Sequence, residues 1–117
     1  MPEVSKVCKS GDVHENGRLV VDIGAQTVGV FRLDGKLFAY DNRCPHQGGP
    51  VCQGTLLPRV VEGSTGSAFH PTDRHIVCPW HGFEFDIRTG QHAGSGAFRL
   101  TPVAVEETNG EVFVHLP

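Results

Sequence analysis

Two short segments, far apart in the sequence, carry the same unusual combination of residues. The first is NRCPHQGGPVCQG (Asn42 to Gly54) and the second is CPWHGFEFD (Cys78 to Asp86). In each, a proline follows a cysteine, and a histidine and glycine come soon after. Proline restricts φ and removes a backbone donor, whereas glycine lets the backbone approach a bulky group closely. These two loops constrain the fold most, because they predict a shared inorganic centre to which both must come.

The ligand pairs in these loops are Cys44-x-His46 and Cys78-x-x-His81. Two thiolates and two imidazoles suit a tetrahedral Zn²⁺, and they also suit a [2Fe–2S] cluster with two cysteines on one iron and two histidines on the other. Zinc sites usually pair cysteine with cysteine and histidine with histidine, often with a helix following. Here each loop has one of each and no helix follows, which favours the cluster.

Outside these loops the chain has the pattern of short β-strands joined by tight turns. RLVVDI (Arg18 to Ile23) and TVGVFRL (Thr27 to Leu33) predict two strands joined at Gly24-Ala25-Gln26. No stretch of ten or more residues has a helical period. The sequence therefore predicts an all-β fold. Glycine accepts the positive φ that hairpin turns need, and further turns are predicted at Asp34-Gly35, Thr89-Gly90 and Asn109-Gly110.

The length of 117 residues predicts a single domain, 1–117. Residues 1–41 are expected to form a meander, and residues 42–90 to hold both cysteine loops. Residues 91–117 are expected to form a closing hairpin that returns to the first sheet.

Charge and composition exclude several classes of partner. The formal net charge is −3 and no cluster of Lys or Arg stands out, so no nucleic-acid partner is expected. The N-terminal stretch has no signal-peptide core or twin arginine, and no run approaches the length that spans a membrane. We therefore expect a soluble cytoplasmic protein with no membrane partner. In a reducing compartment, its four cysteines are expected to be metal ligands or free thiols.

The motifs CPHQGGP and CPWHGFEFDIRTG resemble the signature of Rieske-type [2Fe–2S] ferredoxins, the small electron carriers of bacterial oxygenase systems. The resemblance covers roughly Val7 to Val114. It implies that Cys44 and Cys78 bind the inner iron and that His46 and His81 bind the outer one. It also implies an antiparallel β-sandwich with a small cluster-binding subdomain, which we place at about residues 42–90.

One segment departs from the ferredoxins that the chain resembles. Thirty-one residues separate His46 from Cys78, and we assign the extra length to an insertion at about residues 56–75. We expect this insertion to form a hairpin beside the cluster, with RVVE (59–62) paired to HIVC (75–78). Its polar residues are expected to be exposed in a loop rather than to form a non-haem iron site; they are His70, Asp73 and His75.

The resemblance also bears on the reduction potential. Respiratory Rieske proteins carry an extra cysteine in each cluster loop, joined by a disulfide, and a serine after the second His-Gly. The corresponding residues here are Gly49, Trp80 and Phe83. With fewer donors to the sulfurs, we expect the low end of the Rieske range, about −150 mV.

The remaining cysteines, aromatic residues and histidines are expected to be structural. Cys52 is predicted to be a buried free thiol, and Cys8 a structural residue of the first strand. Trp80 is expected to cover the cluster and pack against a loop. Phe83 and Phe85 are expected to lie in the core. Three histidines are expected at the surface without partners: His14, His92 and His115.

These observations predict an electron carrier rather than an enzyme, because no nucleophile–base pair or phosphate loop is present. The expected partners are a flavin-containing reductase and a terminal oxygenase or similar redox enzyme, met transiently. Two alternatives stay open. One is the small Rieske-like subunit of an oxidoreductase complex such as NADH-dependent nitrite reductase; the other is a zinc-stabilised interaction module.

Overall fold

A computed structural model of the chain consists almost wholly of antiparallel β-strands, as predicted. The structure describes the backbone of residues 3–45, 48–63, 66–80, 82–94 and 98–116. Within these ranges, the side chains are described except at residues 3, 59–63 and 66–73.

Nine strands lie within these described residues, together with two 3₁₀ turns at Ser10–Asp12 and Val51–Gln53. No helix in this part of the chain has the length and apolar character needed to span a membrane. The strands are β1 (Glu3–Lys9), β2 (Arg18–Ile23), β3 (Gln26–Leu33), β4 (Lys36–Asp41), β5 (Thr55–Gly63), β6 (Gly66–Val77), β7 (Glu84–Asp86), β8 (Pro102–Thr108) and β9 (Glu111–Leu116).

The strands form two antiparallel sheets. The larger has six strands in the order β1-β9-β8-β4-β3-β2, and the smaller has three in the order β5-β6-β7. The hairpin of β8 and β9 lies between β1 and β4, so the prediction that the closing hairpin returns to the first sheet is confirmed. Consequently β1 and β9, the first and last strands of the described residues, lie in the large sheet, and the small sheet is inserted between β4 and β8.

The predicted hairpin turns are confirmed by their backbone angles. Asp34 and Gly35 have φ of 52° and 76°, and Asn109 and Gly110 have the same two values. Two consecutive positive φ values characterise the type I′ turn, whose twist matches that of the flanking strands. The third predicted turn is closed by Gly90, whose N–H donates to the Asp86 carbonyl at 2.7 Å.

The insertion forms a long hairpin from β5 and β6, as expected, but in a different register. The predicted pairing of 59–62 with 75–78 is wrong, because the hairpin closes at the pair Gly63–Gly66. In a hairpin, residues equally distant from the turn face each other, so 59–62 faces the first part of β6. The stretch that leads into Cys78 is paired instead with the start of β5.

Two clusters of buried side chains form the core, which we call the loop core and the sheet core. The loop core lies under the two cysteine loops, and the sheet core lies in the large sheet. The loop core comprises Phe31, Leu33, Tyr40, Cys44, Val51, Cys52, Ile76, Cys78, Phe85, Ile87 and Leu100. The sheet core comprises Val13, Val28, Val30, Ala39, Val103, Val112, Val114 and Leu116.

Polar contacts attach the loop region to the large sheet. The buried hydroxyl of Tyr40 donates to the Ile87 carbonyl at 2.6 Å, and burial raises the pKa of Tyr40 to about 12. The guanidinium of Arg18 donates to the Gly54 carbonyl. These bonds join β4 and β2 to the segments on either side of the small sheet, which fixes the position of the cysteine loops.

Candidate metal centre

The structure brings the two predicted cysteine ligands together. Cys44 lies three residues after β4, and Cys78 lies directly after β6. Both are buried, with 3% and 1% of their surfaces exposed. Both belong to the same buried cluster of side chains, and the Cys44 thiol is one of the groups that raise the pKa of the Cys78 thiol. Two adjacent buried thiols are the donors needed by the cysteine-ligated iron of a [2Fe–2S] cluster with mixed ligands, so the residues present fit that group.

The first loop is closed by its own backbone. The N–H of Cys44 donates to the Gly49 carbonyl at 2.7 Å, and the N–H of Gly48 donates to the Cys44 carbonyl at 2.7 Å. Gly48 has φ of 76°, a conformation that side chains with a Cβ rarely adopt. The glycine after the CPHQ sequence is therefore needed to turn the chain back on Cys44.

The second loop is closed in a similar way. The N–H of Cys78 donates to the Phe83 carbonyl at 2.7 Å, and Gly82 has φ of 68°. Burial raises the pKa of the Cys78 thiol, as does its contact with Cys44, and the backbone N–H of Trp80 opposes both by stabilising the thiolate. The same N–H can donate to a metal-bound thiolate, a contact that tunes iron–sulfur centres.

The two loops touch through Gly49 and Trp80. A Cβ built on Gly49 would lie 2.8 Å from two ring atoms of Trp80, so only glycine fits there. The prediction that Trp80 packs against a loop is confirmed, although 49% of its surface stays exposed. Gly49 therefore allows the loop that carries Cys44 to lie directly against the loop that carries Cys78.

A second close contact was not anticipated from the sequence. A Cβ on Gly54 would lie 1.8 Å from the Val77 carbonyl oxygen, so the end of the first loop rests on the backbone that leads into Cys78. This contact sets the spacing of the two cysteines. Gly54 follows Cys-Gln in a turn-rich stretch, and nothing in that stretch distinguishes a packing glycine from a turn glycine.

The two predicted histidine ligands, His46 and His81, lie outside the described residues. Within the described part of the chain, no group of three or more histidine, cysteine, aspartate or glutamate residues is placed to hold a metal. The role of the two histidines therefore stays a prediction, while the adjacency of the two cysteines is observed.

The other two cysteines are placed as predicted. Cys52 is fully buried and free, and burial raises the pKa of its thiol to about 12. Its sulfur lies 3.7 Å from the Tyr40 carbonyl oxygen. Cys8 is partly buried in β1, where burial and the nearby Asp12 carboxylate raise the pKa of its thiol. All four cysteines are free thiols.

The prediction that His75 is an exposed loop residue is wrong. His75 lies in β6, where its side chain is buried and its Nδ1 bonds to the Glu84 carboxylate. This burial follows from the observed pairing, because His75 lies near the end of β6, which is the central strand between β5 and β7. The side chains of His70 and Asp73, grouped with His75 in that prediction, lie outside the described ones.

The remaining histidines differ from one another. His14 is exposed, as predicted. The prediction is wrong for His92, whose ring centroid lies 5.0 Å from that of Phe83 and 5.5 Å from that of Phe85. His115 was predicted to have no partner, and this is also wrong, since its Nε2 lies 3.5 Å from a Glu106 carboxylate oxygen. Phe83 and Phe85 pack in the loop core, as predicted.

Comparison with known proteins gives consistent results. The family model of the Rieske [2Fe-2S] domain matches residues 3–103. The chain is 31% identical over 111 residues to Ferredoxin CarAc of Metapseudomonas resinovorans, covering 93% of this chain and 90% of that protein.

Solved structures have the same fold. One is a complex of reduced oxygenase and oxidized ferredoxin in carbazole 1,9a-dioxygenase. A chain in it is 28% identical, with a TM-score of 0.70 over 95% of this chain and 91% of that one. A protein of Mycobacterium tuberculosis assigned as an NADH-dependent nitrite reductase small subunit is 17% identical. Its TM-score is 0.74 over 100% of this chain and 97% of that one, which shows the fold alone.

Ferredoxin CarAc is by its name a ferredoxin, an electron carrier rather than an enzyme, and the matched family is defined by its [2Fe–2S] domain. The two adjacent thiols and the similarity over nearly the whole length agree with that function. The chain is an electron-transfer protein that carries a [2Fe–2S] cluster, and it belongs to the Rieske [2Fe-2S] domain family.

Proposed function

We propose that this protein receives single electrons from a flavin-containing reductase and passes them to a terminal oxygenase or a related redox enzyme. The observation that carries the proposal is the 31% identity to Ferredoxin CarAc across nearly the full length of both proteins. A similar ferredoxin chain is seen in complex with a terminal oxygenase. The proposed site of action is the cytoplasm, and the proposed domain is the whole of 1–117.

For the ligands, we propose Cys44 and Cys78 on the inner iron and His46 and His81 on the outer one. The adjacency of the two buried thiols supports the cysteine half of this assignment. When bound, the cluster supplies reversible one-electron chemistry. Two neutral imidazoles in place of thiolates leave the centre less negative, which raises its potential above the roughly −400 mV of ferredoxins with four cysteines.

The chain's own residues set the surroundings of this centre. Burial of Cys44 and Cys78 keeps water from the sulfurs, and the Trp80 N–H lowers the pKa of the Cys78 thiol. All four cysteines are free thiols, so no disulfide joins the two loops. We expect a midpoint near the low end of the Rieske range, about −150 mV. A redox titration with a midpoint well above zero would refute this value.

The exposed residues of the loops suit brief contact with a partner. Pro45, Pro79, Trp80 and Gly82 are all exposed around the two buried cysteines. Redox encounters use small interfaces that release quickly, so a compact surface of this kind is sufficient. A nitrite reductase subunit is supported less well, since that likeness is one of fold alone.

A coupled assay tests the proposal. NADH, a flavin-containing reductase from an oxygenase system and cytochrome c are mixed, and cytochrome c reduction is followed by absorbance. We expect the rate to rise in proportion to the added protein. The matched control is the Cys44→Ser variant, which lacks a proposed ligand and is expected to give only the background rate.

Two outcomes would contradict the proposal. If the cluster is reduced by dithionite but the protein never stimulates transfer from any flavin-containing reductase tested, the proposed donor is wrong. If iron-replete protein is colourless and contains zinc, the cluster itself is absent and the zinc-stabilised module is supported. An EPR spectrum of the reduced protein separates these cases.

A further inference from the structure

His75 has an unusual position that the proposed electron transfer does not explain. Apart from the Tyr40 hydroxyl and the cysteine thiols, it is the one buried polar or charged side chain among the described residues. Both ring nitrogens face carboxylates: Nδ1 bonds to Glu84, and Nε2 lies 4.0 Å from an Asp86 oxygen. Buried polar groups are costly unless they are bonded, so a buried imidazole kept between two carboxylates requires an explanation.

The His75–Glu84 bond crosses the base of the second cysteine loop. In the ladder of β6 and β7, Val77 pairs with Glu84 and His75 pairs with Asp86, so the bond runs diagonally between strands. The next backbone bond towards the loop is the one from the Cys78 N–H to the Phe83 carbonyl. The side-chain bond therefore lies one step below the bond that closes the loop around Cys78.

The base of this loop is a short ladder, although Phe85 is fully buried in the loop core and the Glu84 carbonyl accepts the Ala93 N–H at 2.9 Å. β7 contains three residues, Glu84–Asp86, and pairs with β6 at three positions. So short a strand is weakly determined by its own backbone bonds, and cross-strand side-chain pairs are what stabilise such a ladder. The His75–Glu84 bond spans the whole of this short ladder.

We infer that His75 and Glu84 form a clamp that positions the Cys78–Phe83 loop for cluster binding, although neither residue is a ligand. The inference rests on the proposed ligand role of Cys78. The clamp affects the position of the loop rather than the free energy of unfolding of the whole chain. The Glu84 side chain is 41% exposed, and pairs with an exposed partner contribute little to overall stability.

The chain contains a matched control for this clamp. His115 pairs with Ala104 in the ladder of β8 and β9, and its ring contacts Glu106 two residues further along. Both are diagonal pairs of histidine and glutamate on antiparallel strands, and they differ in that the His115 side chain is 41% exposed against 11% for His75. Neither β8 nor β9 carries a proposed cluster ligand, so this second pair reports only on the general loss of such a contact.

The experiment compares His75→Leu with His115→Leu in the purified cluster-loaded protein. Cluster loss to an iron chelator is followed by the decay of visible absorbance, and unfolding is measured by far-UV circular dichroism. We expect His75→Leu to release the cluster about ten-fold faster, the lower range for lost outer contacts to metal ligands. His115→Leu is expected to release it at the original rate.

Two further variants separate positioning from packing. His75→Gln can still donate an amide N–H to Glu84, so it is expected to restore most of the slow release. Glu84→Ala removes the acceptor of the His75–Glu84 bond at a partly exposed position. It replaces His75→Leu in the experiment if that variant does not fold. Both clamp-breaking variants are expected to change the EPR g values of the reduced cluster, which a packing role alone would leave unchanged.

The inference is overturned if His75→Leu and Glu84→Ala both release the cluster at the original rate. It is also overturned if His115→Leu accelerates release equally, or if the acceleration only follows a matching loss of unfolding free energy. Failure of the proposed function is distinguishable, since the unsubstituted protein would then hold no cluster or transfer no electrons. A working carrier with unaffected clamp variants would refute the clamp alone.

Discussion

The sheet core and the loop core are built from different kinds of side chain. The sheet core contains valine, alanine and leucine only, drawn from strands of the large sheet and from Val13. The loop core mixes aromatic and aliphatic residues with three thiols, two of which are the proposed ligands Cys44 and Cys78. Aliphatic burial completes the first core without help. The second includes groups that must become thiolates, whose burial is costly unless a metal binds them.

The two regions also differ in how extensively their backbones are paired in strands. The large sheet closes its hairpins with type I′ turns at Asp34-Gly35 and Asn109-Gly110 and pairs six strands. The second cysteine loop stands on the three pairs between β6 and β7. Regions with few strand pairs open more easily than a paired sheet. The large sheet therefore has a core that is complete without a metal, whereas the core beneath the loops includes the proposed cluster ligands.

The largest expected effect is that of removing a proposed ligand. Cys44→Ser should abolish or cripple cluster assembly, because a hydroxyl is a poor substitute for a thiolate on iron. The large sheet should still fold, because its core contains no ligand. Iron and acid-labile sulfide analysis measures the first effect, and hydrogen exchange of β3 and β9 measures the second.

Cys52→Ala is the matched control for this change. Cys52 is as buried as Cys44, but its thiol lies against the backbone of Gly29 and Tyr40. We expect a fully loaded cluster and a modest loss of stability. A red-brown Cys44→Ser protein, or a colourless Cys52→Ala protein, would contradict the assignment of cysteines to the two roles.

The next effect concerns the potential rather than assembly. His81→Cys should keep a cluster but lower its midpoint towards the roughly −400 mV of centres with four cysteines, because a thiolate returns negative charge to the site. A spectroelectrochemical titration measures the shift. An unchanged midpoint would count against His81 as a ligand.

Truncation within each core compares the two regions directly. Phe85→Ala in the loop core should lower the free energy of unfolding by about 3–5 kcal/mol, as large buried aromatic side chains do. It should also speed cluster release, since Phe85 belongs to the same core as both proposed cysteine ligands.

Val112→Ala in the sheet core is the control for that truncation. It removes fewer atoms, so we expect a smaller loss of unfolding free energy in chemical denaturation, and cluster release at the original rate. Equal acceleration of cluster release by both variants would show that the two cores are one cooperative unit.

The smallest expected effect is a pH dependence confined to the large sheet. The Arg32 guanidinium, 2.7 Å from Glu107, lowers the pKa of that carboxyl. A lowered carboxyl pKa gives stability that is present above the unfolded-state pKa, about 4.3, and is lost as the pH falls through the folded-state pKa. Because the Glu107 side chain is one-third exposed and solvent screens the pair, the contribution is no more than about 1 kcal/mol.

Glu107→Gln should therefore reduce the difference in thermal stability between pH 7 and pH 3, measured by far-UV circular dichroism. It should leave the visible spectrum of the cluster at pH 7 unchanged, because Glu107 lies in β8 of the large sheet. A larger difference between the two pH values in the variant would reverse the sign and refute the ion pair as its source.

Several features of the fold were predictable because they depend on a few adjacent residues. Asp34-Gly35 and Asn109-Gly110 turn the chain in both prediction and structure, since the required positive φ is a property of those residues alone. The strands beside them followed from alternation of apolar residues. The meeting of Cys44 and Cys78 was also predictable, because proline and glycine beside each cysteine indicate a loop built around a shared centre.

Features that depend on distant contacts were not predictable. The predicted register of β5 and β6 was wrong, because a shift along a hairpin changes every cross-strand partner at once. The predicted environment of His75 was wrong for the same reason. His92 was expected at the surface but lies against the rings of Phe83 and Phe85. An imidazole is compatible with water and with an aromatic cluster, so its residue type does not indicate which one surrounds it.

The all-β class, the hairpin turns and the Cys-x-His and Cys-x-x-His motifs follow from the residues themselves, because dihedral preferences and ligand chemistry are local properties. The packing of distant segments determines which backbones approach closely enough to require Gly49 and Gly54, and it determines that His75 is buried beneath the second loop. Those outcomes arise where segments far apart in the chain pack together, and no single segment contains the information about its neighbour.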